Sequence, residues 1–391
     1  MKAGWICFAG MAACICAQAA TGETPVVPVG SPLTLEEGFR NPPNSAKPHT
    51  WYHMMNGNVT KEGITCDFEA LARAGVGGVQ MFDAGCHIPP GSLDFNSPEW
   101  FDMFKHAPSE ARRLGLEICI PNCSGWSSSG GPWNMPSNGM KFVTWREVKT
   151  TGPSKFHAQL PRDMNDHGFY EDIAVVAFPT PPAEARTFPD VKTTISRSAF
   201  LLSSDKPFTA PAVMFQISYG QLWGGDAMVD VETSADGTSF THLESFRIPL
   251  ARSGVGNHGE RFPTFSSPVT ARAIRIKFSK SPTALKLLTA RPEARAKLSN
   301  LSAKTFAVRQ ECARDTVAVG ADQTVPKGEV RDITAHLAAD GTLDWNVPAG
   351  DWTIVRIGHL CNGRCNHPAS DHGKGLEVDK LSASAMDYHF N

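Results

Sequence analysis

The sequence has no excess of either charge: 37 lysines and arginines face 39 aspartates and glutamates, for a formal net charge of -2. That balance supplies no basic footprint for nucleic acid and no pull toward an anionic membrane. Long apolar runs are missing after the first twenty residues, so no transmembrane segment is expected. Tyrosine is scarce, with four residues, whereas 34 glycines and 29 prolines point to the many turns of a β-rich or loop-rich enzyme. Nucleotide loops are missing too: Gly130-Gly131 leads into neither a Lys-Ser/Thr ending nor a dinucleotide fingerprint. Gly125-Trp126-Ser127 begins like a nucleophile elbow, but Ser129 stands where that pattern needs glycine. Internal repeats and low-complexity tracts are absent.

Of ten cysteines, Cys7, Cys14 and Cys16 lie in the first 19 residues. An odd number remains in a long chain, which excludes a disulfide scaffold. Cys361 and Cys365 are spaced to pair across a turn. With His359 and His367 they spell H-x-C-x3-C-x-H, ligand types that suit zinc at a spacing no usual structural site has. A local disulfide or free thiols is the stronger expectation.

The N-terminus reads as an export signal. Lys2 precedes a short apolar core, Ala3 to Ile15, and Ala17-Gln18-Ala19 fits small-x-small cleavage. A lipid anchor on Cys14, after Met11-Ala12-Ala13, is the weaker alternative because Met11 suits that position poorly. Either reading exports the chain, to periplasm, cell surface or medium.

Beyond this leader, strand and helix patterns alternate. Trp51 to Met55 reads as a strand ending in the turn Asn56-Gly57-Asn58. Thr65 is positioned to cap a helix that runs to about Ala74 before Gly75. Gly77 to Phe82 is a second strand, ending at Asp83. Ser97-Pro98-Glu99 starts a second helix, with a capping serine and proline at the first position; Pro108 should kink it and Gly115 closes it. Leu116 to Ile120 is a third strand, opening into the loop Pro121-Asn122-Cys123-Ser124 and then Gly125 to Trp133. Strand–helix alternation means parallel pairing, and in a (β/α) barrel the chemistry lies at the C-terminal strand ends. Asn56, Asp83 and Asn122 stand there together; each alone could be a turn residue, but three matching positions suggest a site.

After Met140 short alternating strands follow, among them Val229 to Ser234 and Ala273 to Phe278, as in an antiparallel β-sandwich. A short helix is expected near 284–300. Glu377 and Asp379 are two apart and, on a strand, would point the same way. Trp51, Trp126 and Trp133 fall near strand ends, where indole faces stack on sugar rings; Trp100 reads as core.

Several stretches resemble glycoside hydrolase family 106, whose characterised members are α-L-rhamnosidases. They are FRNPPNSAKP (39–48), WYHMMNGNVTKEGITCDFEALARAGVGGVQMFDAG (51–85), SPEWF (97–101), HAPSEARRLGLEICIPNCSGWSSSGGPW (106–133), PAGDWTIVRIGH (348–359) and GKGLEVDKLS (373–382). Pro108 and the Cys361/Cys365 pair depart from the family pattern. The resemblance implies a catalytic (β/α)8 barrel with β-sandwich modules, inverting hydrolysis of rhamnose-containing plant polysaccharides, and calcium in or near the site. The family's catalytic glutamates belong to later barrel strands, so the general acid and base are expected beyond residue 391 and the chain is expected to be incomplete and inactive alone. Asn56, Asp83, Asn122, Trp126, Trp133, Glu377 and Asp379 are the expected substrate-binding positions.

The expected fold is therefore α/β plus all-β: an incomplete (β/α)8-type barrel interrupted by a β-sandwich insertion. The expected divisions are a signal peptide over 1–19, a linker over 20–34, barrel over 35–150, sandwich over 151–300, a second β-rich segment over 301–360 and a return to barrel over 361–391. The expected partner is carbohydrate. A non-catalytic carbohydrate-binding protein is the alternative, and downstream sequence carrying strand-end glutamates is what separates the two.

Overall fold

The computed structural model describes residues 34–85, 88–127, 129–218, 226–249, 258–261, 263–280, 285–297 and 319–391. The export signal, most of the linker, Cys86 and Cys312 lie outside them. The chain forms two compact units, Met1–Met140 with Gly363–Asn391, and Lys141–Asn362. The first boundary thus falls at 140/141 rather than near 150, because the segment after Met140 pairs with the last strand of the second unit.

In the first unit a short helix, α1 (Leu35–Arg40), precedes β1 (His49–Met55), α2 (Lys61–Arg73), β2 (Gly78–Ala84), α3 (Pro98–Leu114) and β3 (Glu117–Cys119). The strands are parallel in the order β1-β2-β3, with His53 opposite Phe82 and Gln80 opposite Cys119. The cap of α2 is Thr60, whose hydroxyl accepts from the Gly63 amide at 3.0 Å, and not Thr65. Starting earlier brings Ile64 onto the buried face beside Phe68. Ser97 caps α3 as expected, Gly115 closes it at φ 68°, and the helix continues through Pro108. Both helices cover one face of the sheet, packing Ile64, Phe68, Met103 and Ala107 onto Met54, Val79 and Met81. Three parallel strands are what the described residues contain; they do not by themselves make a barrel.

The second unit is almost entirely strand: β4 (Lys141–Gln159), β5 (Tyr170–Pro179), β6 (Lys192–Ile195), β7 (Ala199–Ser218), β8 (Asp226–Ser234), β9 (Thr241–Pro249), β10 (His258–Arg261), β11 (Thr264–Lys280), β12 (Lys286–Glu293), β13 (Arg331–Asp332) and β14 (Thr342–Cys361). One sheet has the order β13-β5-β14-β4. Its strand β14 carries a bulge: Val347 pairs with Ser154 but Gly350 with Gly152, so β14 holds one extra residue. A single extra residue switches which side chains face inward. Leu343, Trp345 and Val347 before the bulge, and Trp352 and Ile354 after it, therefore all reach the same core.

The other sheet is built on β7 and β11, which pair antiparallel along most of their length with register shifts in the middle. Phe200 and Leu202 from one end of β7, Phe215 and Ile217 from the other, and Val229, Ile274 and Ile276 share a single core. An antiparallel sheet folded onto itself in this way has the build of a β-sandwich. The helix expected near 284–300 is instead strand over Lys286–Glu293, paired with β7 and burying Ala290; tertiary pairing outweighs the helix propensity of its Leu, Ala and Arg residues. Cys361 and Cys365 are both thiols. Of the two expected states, a local disulfide or free thiols, the structure has the thiols: Cys361 ends β14 opposite Lys141, and Cys365 bridges to Leu376. Among the described residues no helix is long and apolar enough to cross a membrane. A last helix, α4 (Ala383–Phe390), is capped by Ser382.

Candidate functional site

Alternation along the strands sorts the first unit's residues into two surfaces. Tyr52, Met54, Val79 and Met81 face the helices. Successive strand side chains point to opposite faces, so Trp51, His53 and Phe82 lie on the other side. There they meet: Trp51 and Phe82 have ring centroids 5.4 Å apart, and His53 and Phe82 5.7 Å. Trp126, from the loop after β3, joins them at 6.3 Å from Trp51 and 6.2 Å from His53. Trp51 is 58% exposed and Trp126 57%. Two indoles are thus held side by side in contact with solvent, on the face of the parallel sheet that the helices leave open.

The loop carrying Trp126 is clamped. The Trp126 amide donates to the His367 carbonyl at 3.1 Å, and Ser127 Oγ donates to Glu377 Oε1 at 2.9 Å while accepting from the His367 amide. The buried Asn366 amide donates to the carbonyls of Ser124 and Gly373, both at 2.8 Å, and its Oδ1 accepts from Gly375 at 2.8 Å. Gly375 lies so close that a β-carbon there would stand 2.0 Å from the Gly131 carbonyl oxygen. Gly125, at φ 84°, is likewise pressed against Pro368. The glycines in both motifs are required by the closeness of two backbones.

A second place lies on the helix side. Asp83, 3% exposed, accepts from Ser124 Oγ and, at 2.8 Å, from Ser370 Oγ. Burial pushes its carboxyl above the usual carboxylate range, while hydrogen bonds from those two hydroxyls and from the Trp100 indole hold it down. A cavity of about 190 Å³ opens beside it, lined also by Asn122, Trp100 and Trp133. Cys123, on its wall, is an inert thiol: burial pushes it up to about 12.

The expected positions therefore divide. Asp83, Asn122 and Trp133 line one cavity. Trp126 belongs to the aromatic face, and Glu377 supports it through Ser127. Glu377 is engaged at both oxygens, the second by Lys380 at 2.9 Å. Asp379 does not join Glu377 on a strand face; it accepts from the Leu381 amide at 3.1 Å in a turn. Asn56 takes the left-handed φ of 51° and ties down the following loop by donating to the Ile88 carbonyl at 3.0 Å. Trp133 spends its indole N–H on His389 Nδ1 at 3.1 Å and stacks on that ring. Sequence reasoning misses His53, Ser124, Asn366 and Ser370. His53 is open to discovery, since it stands two residues from Trp51 on a strand; the other three are polar loop residues with no local signal.

Exposed indoles of this kind stack well on sugar rings, and the comparisons give the class, a glycoside hydrolase family. Residues 40–391 match the profile of glycoside hydrolase family 106, alpha-L-rhamnosidase, and the chain belongs to that family. Its structure is similar to that of a rhamnosidase from Novosphingobium sp. PP1Y, 28% identical with a TM-score of 0.72, over 92% of this chain and 37% of that one. A protein of Formosa agariphila named "Putative beta-glucuronidase" is 29% identical over 358 residues, 91% of this chain and 21% of its own length. The chain thus spans well under half the length of either relative.

Proposed function

We propose that this protein is an exported glycoside hydrolase, an inverting α-L-rhamnosidase acting on rhamnose-containing plant polysaccharides. The observation that carries the reading is the family match over residues 40–391; the open pair Trp51 and Trp126 supplies the surface a sugar ring would stack on. The strand–helix alternation is then the beginning of a (β/α)8-type barrel, whose strand ends carry chemistry. Inversion needs a carboxylic acid that protonates the leaving oxygen and a carboxylate that activates water, about 6.5–9.5 Å apart. Three carboxylates near the strand ends serve other purposes: Asp83 lies behind the sheet, Glu377 holds the loop and Asp379 holds a turn. The acid and base are assigned to residues outside these 391. What this chain does in the reaction is to bind and orient the sugar. Calcium stays part of this proposal through the resemblance: among the described residues no three carboxylate, imidazole or thiol groups meet, and calcium also takes backbone carbonyl, amide and water oxygens.

The same placement of carboxylates favours the second reading, a carbohydrate-binding protein without catalysis. One experiment tests both. The purified 391-residue chain is titrated calorimetrically with a rhamnose-terminated oligosaccharide and assayed on an aryl α-L-rhamnoside. Binding without turnover is expected, weakened about tenfold by Trp126→Ala. Turnover would remove the acid and base from outside the chain, and an absence of binding would overturn the aromatic surface. A longer chain with strand-end glutamates that hydrolyses the glycoside decides for the enzyme over the binder.

A further inference from the structure

The resemblance places Asp83 against the sugar, whereas the structure buries its side chain on the helix side of the sheet, beside Met54 and Trp100. There Oδ2 accepts from Ser124 Oγ and, at 2.8 Å, from Ser370 Oγ, and the Trp100 indole is a third donor to the carboxyl. Ser124 Oγ in turn accepts from the Ser370 amide at 3.0 Å. Both serines are buried. A β-carbon on Gly373 would stand 2.8 Å from Ser124 Oγ and 2.9 Å from Ser370 Oγ, so the packing leaves these hydroxyls little room to turn elsewhere. One carboxylate oxygen thus ties the end of β2 to two loops at once, the loop after β3 and the loop over 366–370. Those two loops place Trp126. The Gly125 amide donates to the Asp83 carbonyl at 2.6 Å, and the Trp126 amide donates to the His367 carbonyl at 3.1 Å. Asp83 and Trp126 lie on opposite sides of the sheet, yet one hydrogen bond and two peptide bonds connect them, through Ser124 and Gly125.

The donors around this carboxyl are all neutral. The cavity beside it is lined from β1, α3 and the loop after β3 without a lysine, arginine, histidine or second carboxylate, and its other titratable group is the Cys123 thiol, which burial keeps protonated. Glu377 and Lys380, which also act on Cys123, are paired with each other at 2.9 Å. On the 366–370 loop the His367 side chain is exposed. A buried carboxylate without a cation depends on its hydrogen-bond donors. A proton on it turns an acceptor into a donor, and a hydroxyl that was donating must let go. The link between β2 and the two loops is therefore made by the ionised form.

We propose that Asp83 is a positioning residue for the aromatic face: from the helix side of the sheet its ionised carboxylate, through Ser124 and Ser370, fixes the loop that holds Trp126 beside Trp51. That this face takes sugar rests on the reading above; the placement of Trp126 does not. The test follows the Trp126 indole N–H resonance of the whole 391-residue chain by NMR from about pH 7 to about pH 4, with a calorimetric titration of a rhamnose-terminated oligosaccharide at each pH. The Trp126 resonance is expected to shift with a midpoint above about 3.9, the ordinary aspartate value, and affinity to fall about tenfold as pH drops through that midpoint. His389 acts on the Trp133 indole, which is a separate resonance. Asp83→Asn keeps the shape and removes the charge; with its circular dichroism unchanged it is expected to bind about tenfold more weakly at pH 7 and to lose the midpoint. Ser370→Ala removes a hydroxyl that holds the carboxyl down, so it is expected to move the midpoint to higher pH, and it decides the matter should Asp83→Asn fail to fold. A merely structural serine would change stability and leave the midpoint in place. The proposal is overturned by a Trp126 resonance that is the same in Asp83→Asn as in the parent at pH 7, by a midpoint that survives that substitution, or by one that Ser370→Ala does not move. A Trp126 resonance that titrates in the parent and not in Asp83→Asn, in a chain that binds no oligosaccharide, upholds the placement and overturns the sugar reading alone.

Discussion

Phe200 and Phe215 come from the two ends of β7 and meet with ring centroids 6.0 Å apart, both fully buried. Trp51 and Trp126 come from β1 and the loop after β3 and meet at nearly the same separation, 6.3 Å, both more than half exposed. The two contacts look alike as distances and differ in what surrounds them. The phenylalanines are packing: each removes a large apolar surface from water and is enclosed by a sandwich core. The indoles leave much of their surface in water, on a sheet whose other face is the one the helices cover. Adjacent exposed aromatic rings on a folded chain mark an interaction surface. On the proposed reading the paired rings of the antiparallel unit serve packing, and the open pair of the parallel unit serves recognition.

That contrast is broken most directly by deleting one ring from each pair. Phe215→Ala leaves a cavity in a closed core and is expected to cost about 3–5 kcal/mol in denaturant unfolding. Trp126→Ala is expected to stay within about 0.5 kcal/mol of the parent, as for a surface substitution, while losing sugar affinity. If both cost the same, the indoles are a packing cluster and the division of labour fails. A second large effect belongs to the antiparallel unit. Arg356, 4% exposed, donates to both oxygens of Asp172 at 2.7 and 2.8 Å and to the Leu160 carbonyl at 2.7 Å. Asp172→Ala leaves that guanidinium buried without its counter-charge, and a loss of about 3 kcal/mol is expected by the same measurement. A loss under about 1 kcal/mol would show that water reaches the arginine and that this sheet is less closed than the sandwich.

Much of the parallel unit was legible, because caps and periodicity are local. Ser97, Pro98 and Gly115 mark the ends of α3 in sequence as they do in structure. Counting by twos from Met81 also puts Asp83 on the helix side; its place at a strand end drew attention, and its parity was the better guide. The clamp on the Trp126 loop was not legible. Asn366 and Ser370 reach Ser124 from more than 240 positions away, and polar loop residues carry no periodicity to announce such a partner. The bulge in β14 hid in the same way: Trp345 and Trp352 have opposite parity and look like opposite faces until one extra residue is placed between them. The change of character after Met140 was legible, but the barrel bound was drawn at 150 for a related reason, since β4 finds its partner β14 about 200 residues on.

The smallest expected effect separates the units by pH. His389 is buried, and its Nδ1 faces the indole N–H of Trp133 at 3.1 Å and the amide nitrogen of Asn134 at 3.2 Å. With the Asn134 amide so oriented, both neighbours are donors, so Nδ1 accepts and the ring is neutral with its proton on Nε2. Burial first, and then the Lys380 charge, hold its pKa below the ordinary imidazole value. Between that lowered value and about 6.5 the unfolded chain binds a proton that the folded chain refuses, so stability rises with pH across the window and is lost as pH falls through it. Asp172 works lower down: chiefly through its Arg356 hydrogen bond its pKa is depressed, so its contribution is present above about 3.9 and fades only below. On acidification from about pH 7 to 4.5 the parallel unit should therefore soften first, by less than about 1 kcal/mol, the scale of one hydrogen bond. Hydrogen exchange of the Trp133 indole resolves this, and His389→Gln, which keeps an acceptor and cannot take the proton, should flatten the response. A response unchanged by that substitution assigns the acid sensitivity to another group and removes pH as a means of telling the two units apart.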